Sequence, residues 1–378
     1  MRSGSPAGQA PDSHPKAVTY TNERGRTLKL GLSLGYSGAS MALPLKKVQL
    51  AERLGYDSVW TAEAYGSDAI TPLAFLAAHT ERIRLGTAVI QLAGRTPANA
   101  AMAMATLDQL AGGNRVICGI GVSGPQIVEG WYGQPWGRPY YRLRDYVAIM
   151  KKIWAREEPV THEGREISLP YEGEGAMGVG KPLKSILHMN PEIPVWLGTG
   201  MESTVRLTAE IADGWLPLGY VPESAHLYRD WIDEGLARAG KTRAEFEAQA
   251  GTQVMITEDS SDAVGAALGR LKPNIALYVG GMGHRNKNFH KEMMIRRGFG
   301  DAAERIQELY LAKRKDEAAA AVPDEFVDQG ALVGPKERIR RRFRDWEDCG
   351  VTGLTIGGDE QAMRFAAECA RLNVEPVG

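Results

Sequence analysis

The chain has 378 residues, of which 43% are hydrophobic and 24% charged, as expected of a globular protein with a full core. Lys and Arg (45) nearly balance Asp and Glu (46), and a net charge of -1 excludes a long-range field that attracts nucleic acid or an anionic membrane. No run approaches the roughly 20 consecutive apolar residues that cross a bilayer, which excludes a membrane-spanning protein.

The first 26 residues differ in composition from the rest of the chain. Residues 1–26 are rich in Gly, Ser, Pro and polar side chains and lack the apolar core of a signal peptide. We predict a disordered N-terminal tail there. The three cysteines show no C-x-x-C spacing, and we predict reduced thiols in a cytoplasmic protein for Cys118, Cys349 and Cys369.

From Leu28 onward, short apolar runs alternate with amphipathic stretches, a pattern typical of βα units around a parallel sheet. Eight runs are predicted as strands, at 28–34, 57–62, 83–90, 115–120, 194–198, 214–218, 252–256 and 352–356. Helical periodicity predicts helices near 44–54, 70–79, 97–110, 140–154 and 205–212. Eight such strands predict an α/β fold, a closed (β/α)8 TIM barrel with insertions.

Two stretches interrupt this alternation. Residues 156–193 contain many Gly and Pro residues, which favours an irregular insertion or a hairpin over another helix. A long helical region precedes the last strand, and its insertion at about 270–330 is expected to form a lid or a dimer surface. We therefore predict a single barrel domain over residues 27–378.

A G-x-G-x-x-G pattern follows the fourth predicted strand, with its glycines at Gly119, Gly121 and Gly124. A Rossmann unit needs a full helix after the third glycine, and the Gly/Pro-rich stretch 125–139 disfavours one. Small residues here allow backbone N–H groups to approach a phosphate, and Ser123 adds a hydroxyl donor. A tight turn that needs glycine only for positive φ is the alternative. Ligand binding is favoured because barrel active sites lie at these strand ends.

Several segments in the same order resemble motifs of the bacterial-luciferase-like (luciferase-like monooxygenase) family. They are Gly55-Tyr56-Asp57-Ser58-Val59-Trp60-Thr61-Ala62-Glu63, Arg84-Leu85-Gly86-Thr87-Ala88-Val89, Arg95-Thr96-Pro97, Thr106-Leu107-Asp108-Gln109-Leu110, Gly119-Ile120-Gly121 and Ala212-Asp213-Gly214-Trp215. The resemblance covers roughly residues 28–220, with a weaker match at 334–357. It implies an oxidoreductase of the branch that uses the deazaflavin coenzyme F420, with a small organic substrate and a homodimeric state. An FMN-dependent monooxygenase is the alternative, and a non-catalytic ligand-sensing barrel is a second one.

The resemblance also implies where the cofactor lies. The F420 branch has a bulge with a non-prolyl cis peptide in its third strand, which falls here between Ala88 and Val89. An undistorted buried strand is the alternative. The family pattern places the cofactor at the C-terminal strand ends and implies further contacts from Glu63, Gly119, Gly121, Val122, Ser123, Gly124, Thr199, Gly200 and Met201.

Glu63, at the end of the second predicted strand, is the predicted catalytic residue. A carboxylate beside an apolar ring suits proton transfer, and it equally suits a helix cap or an ion pair with arginine. Ala64 follows it where several F420-dependent relatives have histidine, and no carboxylate follows Gly124 where sugar-phosphate dehydrogenases of this type have one. These departures disfavour oxidation of a sugar phosphate. Reduction of an unsaturated or carbonyl substrate by reduced F420 is therefore expected at least as strongly.

Three aromatic residues, Trp131, Tyr132 and Trp136, stand in a Gly/Pro-rich loop. They form either one wall of a pocket for an apolar substrate or a small core beneath the loop. The seven histidines show no H-E-x-x-H pattern and no Cys/His cluster, so no catalytic metal is predicted.

Overall fold

The computed structural model describes residues 28–372, so the tail predicted at 1–26 lies outside the described residues. Within this range the strands are β1 Lys29–Gly35, β2 Ser58–Thr61, β3 Arg84–Thr87, β4 Ile90–Gln91, β5 Val116–Gly121, β6 His162–Glu163, β7 Ser168–Leu169, β8 Val195–Thr199, β9 Gly214–Pro217, β10 Glu247–Ile256, β11 Ala331–Gly334 and β12 Gly353–Gly357.

The helices alternate with these strands in the first part of the chain and cluster after β10. They are α1 Leu45–Arg53, α2 Ile70–Ala77, α3 Pro97–Leu110, α4 Pro125–Gly130, α5 Pro139–Ala155, α6 Glu202–Ile211, α7 His226–Ala239, α8 Ser261–Gly269, α9 Lys272–Gly280, α10 Phe289–Arg296, α11 Gly300–Leu311, α12 Lys315–Ala320, α13 Asp324–Gly330, α14 Lys336–Asp348 and α15 Glu360–Cys369. None of them is long and apolar enough to span a bilayer.

Eight parallel strands close into a ring in the order β1-β2-β3-β5-β8-β9-β10-β12, and β12 pairs back with β1. The β9–β10 contact that closes the ring is short, at Glu247 and Ala248. The predicted (β/α)8 TIM barrel is confirmed. Two further strands extend the pairing, with β4 beside β5 and β11 beside β10.

Local sequence sets the starts of several helices. Thr96 precedes α3, and its hydroxyl accepts the N–H of Asn99 at 3.2 Å, while Pro97 occupies the first turn. Asp359 caps α15 in the same way, accepting the N–H of Ala362 at 2.8 Å. These caps satisfy backbone donors that have no partner inside the helix.

Large side chains fill the barrel interior. The indole rings of Trp60 and Trp196 lie 5.2 Å apart, and both residues are buried. Glycines on neighbouring strands make room for them. A Cβ on Gly86 would lie 2.4 Å from the Trp60 ring, and one on Gly214 would lie 2.6 Å from Trp196. The barrel is therefore packed at this level, and ligand space is left at the C-terminal strand ends.

A charge network lies at the opposite end of the barrel, near the starts of the strands. The Arg84 guanidinium contacts Asp57 at 2.6 Å and Glu247 at 3.0 Å, and Lys29 contacts Glu247 at 2.7 Å. These pairs join β1, β3 and β10. Each carboxylate has a cationic partner, so the partly buried charges are compensated.

The stretch 156–193 has the predicted irregular form. It contains only the two-residue strands β6 and β7, which pair antiparallel as a hairpin. The Asp145 carboxylate on α5 holds this hairpin, accepting the N–H groups of Glu166 at 2.7 Å and Ile167 at 3.0 Å.

The region between β10 and β12 differs in two details from the prediction. The strand β10 begins at Glu247 rather than at 252. Its first residues are polar or small, so no apolar run marks them in the sequence, and they pair with β9 and β12. The four-residue strand β11 was not predicted, since its buried run is too short to separate from the surrounding helices. Helices α8–α13 form a second hydrophobic core that includes Met294 and Ile306. The single-domain interpretation of residues 27–378 stays a prediction.

Candidate functional site

A cavity of about 750 Å³ lies at the C-terminal ends of the barrel strands. This volume lies within the range of small-molecule and cofactor pockets. Ten of the eleven predicted site residues line it, namely Glu63, Ala88, Val89, Gly121, Val122, Ser123, Gly124, Thr199, Gly200 and Met201.

The eleventh residue, Gly119, lies deeper in β5 and packs against β3. Its N–H donates to the Thr87 hydroxyl at 2.9 Å, and that hydroxyl donates to the Gly119 carbonyl oxygen at 2.9 Å. A Cβ at this position would lie 1.7 Å from the Thr87 carbonyl oxygen. Close packing of β5 against β3 therefore explains why residue 119 is a glycine. Contact between Gly119 and the cofactor stays a prediction, and its position below the cavity does not favour it.

The third barrel strand is interrupted at the cavity floor. The chain passes from β3 to β4 through a cis peptide bond between Ala88 and Val89, which confirms the bulge that the resemblance implies. The Val89 side chain lies against two strand glycines. A Cβ on Gly121 would lie 2.5 Å from Val89 Cγ2, and one on Gly198 would lie 3.0 Å from Val89 Cγ1. Val89 and its glycine neighbours therefore form an apolar surface suited to a planar ring.

A second part of the cavity suits an anionic group. Helix α6 starts directly after Met201, and Ser203 and Thr204 in its first turn line the cavity. Free N–H groups and the helix dipole favour an anion at such a helix start. The Arg296 guanidinium on α10 lies beside this turn, donating to the Gly200 carbonyl oxygen at 2.6 Å. Arg296 was not predicted as a site residue, because 96 residues separate it from its partner Gly200.

The Glu63 carboxylate is already fully paired. Its side chain is 3% exposed, and Arg95 Nη1 donates to both carboxylate oxygens at 2.8 Å. The backbone N–H groups of Gln91 and Ala69 donate to it at 2.8 and 3.3 Å. These contacts favour the arginine-pair alternative, and proton transfer by Glu63 stays a prediction.

We expect replacement of Arg95 by methionine to destabilise the protein by about 3–5 kcal/mol, because it leaves a buried carboxylate without its cation. Urea unfolding at pH 7 measures this loss. Adding Glu63→Gln to Arg95→Met removes the orphaned charge and should restore part of the stability. A double variant no more stable than Arg95→Met alone would contradict the proposed ion pair.

The insertion before β12 forms the roof of the cavity, defined here as residues 278–293. Its cavity-lining residues include Tyr278, Met282, Asn288, His290 and Met293. Three hydrogen bonds join the roof to the barrel loops. The hydroxyls of Tyr36 and Tyr278 lie 3.4 Å apart, Tyr65 donates to the Met282 sulfur at 3.5 Å, and the side-chain amide of Gln126 donates to the Met282 carbonyl oxygen. Of the two roles expected for this insertion, these positions favour a lid, and a dimer surface stays a prediction.

The three loop aromatics have different positions. Trp136 lines the cavity, and Lys287 Nζ lies 5.1 Å from the centre of its ring. Tyr132 packs over Gly94 beneath the loop, where an added Cβ would lie 3.1 Å from the tyrosine ring. Trp131 is 62% exposed. Trp136 therefore fits the pocket-wall alternative, Tyr132 fits the small-core alternative, and Trp131 fits neither.

Comparison with known proteins gives consistent matches over most of the chain. The family described as luciferase-like monooxygenase matches residues 33–353. A Mycobacterium tuberculosis (strain ATCC 25618 / H37Rv) protein named "Putative coenzyme F420-dependent oxidoreductase Rv3520c" is 47% identical over 348 residues, covering 90% of this chain and 98% of that protein. The 5,10-methylenetetrahydromethanopterin reductase of Archaeoglobus fulgidus is 28% identical over 317 residues, covering 82% of this chain and 87% of that protein.

A solved structure has a similar fold. The coenzyme F420 dependent tetrahydromethanopterin reductase from Methanopyrus kandleri superposes with a TM-score of 0.73 at 21% identity. The match covers 90% of this chain and 98% of that chain. At this identity the likeness supports the barrel fold alone.

Proposed function

The chain belongs to the luciferase-like monooxygenase family, and from that premise we propose that it is an F420-dependent oxidoreductase acting on a small organic substrate. The 47% identical relative, matched over 98% of its length, supports F420 over FMN. An FMN-dependent monooxygenase is the less favoured alternative.

The cavity offers an apolar surface at Val89 and a helix start that favours an anion, and these two features support the proposal most directly. Gly121 and Gly198 hold no side chain and so leave room for the Val89 side chain against their strands. The resulting apolar surface suits one face of the deazaflavin ring. The backbone from Val122 to Gly124 and the start of α6 suit the phosphate-bearing tail. Arg296 beside that helix start adds a cation.

When bound, F420 supplies hydride donor or acceptor chemistry at the C5 atom of its ring. The protein then has three tasks. The Val89 surface positions the ring, the roof limits the entry of water, and the remaining cavity wall orients the substrate. Trp136 and Met293 give that wall an apolar character.

Equilibrium titration of cofactor-free protein with F420 and with FMN tests the proposal. We expect F420 to bind at least about 10-fold more tightly than FMN, a difference of about 1.4 kcal/mol, because the chain resembles F420-dependent relatives. Quenching of cofactor fluorescence measures both affinities. Tighter binding of FMN would favour the monooxygenase, and weak binding of both would favour a non-catalytic barrel.

We also propose that the protein acts as a cytoplasmic homodimer. Its cysteines are free thiols, with Cys118 buried, as expected of a chain kept in a reducing compartment. Large apolar side chains are exposed on the adjacent helices α2 and α3 and in the 171–186 loop, namely Phe75, Met102, Leu110, Met177, Val179, Leu183 and Ile186. Exposed apolar groups of this kind are typical of protein interfaces. We propose no nucleic-acid partner for the protein, because its balanced charge gives no field that attracts a polyanion.

A further inference from the structure

His290 in the first turn of α10 is a cavity-lining residue to which the family resemblance gives no role. Within residues 28–372, no hydrogen bond reaches either of its ring nitrogens. Its position is nevertheless well defined. The Asn288 side chain accepts the backbone N–H of His290 at 3.0 Å and donates to the Val279 carbonyl oxygen at 2.8 Å. The centre of the His290 ring lies 4.7 Å from that of the Tyr278 ring. The roof therefore holds an unpartnered imidazole at the cavity.

The imidazole is neutral at physiological pH. Burial lowers the pKa of His290 to about 4, and no charged neighbour contributes to that shift. Its ring contact is with the uncharged Tyr278 on α9. The nearby cation Lys287 lies over the Trp136 ring. A neutral imidazole offers one N–H donor and one acceptor nitrogen.

The rest of the roof offers little compensation for a charged substrate. Its other cavity-lining side chains include Met282, Phe289 and Met293, which have no strong hydrogen-bonding group. Lys287 also lines the cavity, but it is exposed and lies over the Trp136 ring, and an ion pair with an exposed lysine contributes little. Across the cavity, the Glu63 carboxylate is already paired with Arg95. A substrate carboxylate or ammonium placed beside His290 would lose its hydration without gaining a buried ion pair, which is unfavourable.

We propose that the substrate of this enzyme is a neutral, largely apolar molecule whose carbonyl or hydroxyl oxygen hydrogen-bonds to His290. This inference rests on the proposed function, because it assigns the Val89 side of the cavity to the cofactor and the roof side to the substrate. A carbonyl oxygen accepts from the ring N–H, and a hydroxyl donates to the other ring nitrogen. The same imidazole therefore serves the carbonyl and the alcohol form of one substrate.

Three probes with the same six-membered ring test the proposal: cyclohexanone, cyclohexanecarboxylate and cyclohexylamine. Protein labelled with 15N-histidine is titrated with each probe, with and without oxidised F420, and the ring-nitrogen signals and the Kd are measured by NMR. We expect cyclohexanone to shift the His290 signals and to bind more tightly than either charged probe. Loss of one net hydrogen bond in His290→Phe should raise the cyclohexanone Kd about 10-fold.

Two variants separate this role from a structural one. His290→Gln keeps a neutral donor and acceptor and should return the Kd to within about 3-fold of the original value. His284→Phe changes another histidine of the same roof segment that does not line the cavity, and it should leave the Kd unchanged. Circular dichroism checks that each variant is folded.

Several outcomes would overturn the inference. They are an unchanged Kd in His290→Phe, tighter binding of a charged probe, and the absence of any cyclohexanone effect on His290 both with and without F420. A failure of the proposed function looks different. In that case the unmodified protein fails to bind F420, whatever the ketone does in the cofactor-free sample.

Discussion

Replacing Gly119 by alanine is expected to destabilise the protein by about 3 kcal/mol or more, at or beyond the upper end of overpacking costs in a core. The added Cβ would lie 1.7 Å from the Thr87 carbonyl oxygen, and that oxygen belongs to a strand backbone that cannot rotate away. The Thr87 hydroxyl is fixed by two hydrogen bonds to Gly119 as well. Urea-induced unfolding followed by circular dichroism measures the loss.

Gly251 on β10 provides the matched control. It is also a glycine in a barrel strand, but no atom lies within 4 Å of the Cβ that it would gain, and it lines the cavity. Gly251→Ala should change the unfolding free energy by at most about 1 kcal/mol, since alanine only restricts the unfolded chain. Equal stability of the two variants would show that strand packing does not require glycine at 119.

The sequence predicted the barrel and the place of its cavity correctly, because the apolar runs coincide with the ring strands. The apolar runs predict all eight ring strands, and the C-terminal ends of parallel strands then meet at one face of the barrel. For this reason ten of the eleven predicted site residues share one cavity. The glycine pattern after the fourth strand was harder to interpret. The structure shows that Gly119 and Gly121 make room for Thr87 and Val89, which no pattern in a single segment could indicate.

The missed features all depend on contacts between distant parts of the chain. Glu63 was predicted as the catalytic residue with an arginine pair as an alternative, but the sequence did not identify its partner Arg95, 32 residues away. His290 lines the cavity, and Arg296 contacts the cavity-lining Gly200, only because the second helical core folds over the barrel. Sequence periodicity locates such helices and does not say which strand ends they cover.

Replacing Ser203 by glutamate is expected to weaken F420 binding by about 10- to 100-fold, because it places a negative charge beside the proposed phosphate position. Ser203 lines the cavity in the first turn of α6, where an acidic residue also interacts favourably with the helix dipole. The variant should therefore keep or gain stability while it loses affinity. Fluorescence titration with F420 and urea unfolding measure these opposite changes.

The neutral variant Ser203→Gln separates charge from size. It introduces a side chain of similar length without a charge, so its F420 Kd should stay within about 3-fold of the original value. The glutamate effect should also shrink as salt is raised from 0.05 to about 0.5 M, because the added charge is partly exposed to solvent and is screened. Equal losses in both variants, or a loss that is independent of salt, would place the phosphate away from α6. The strand-end backbone at Val122–Gly124 would then be the main anion site, because it is the other part of the cavity to which the sequence assigns phosphate contacts.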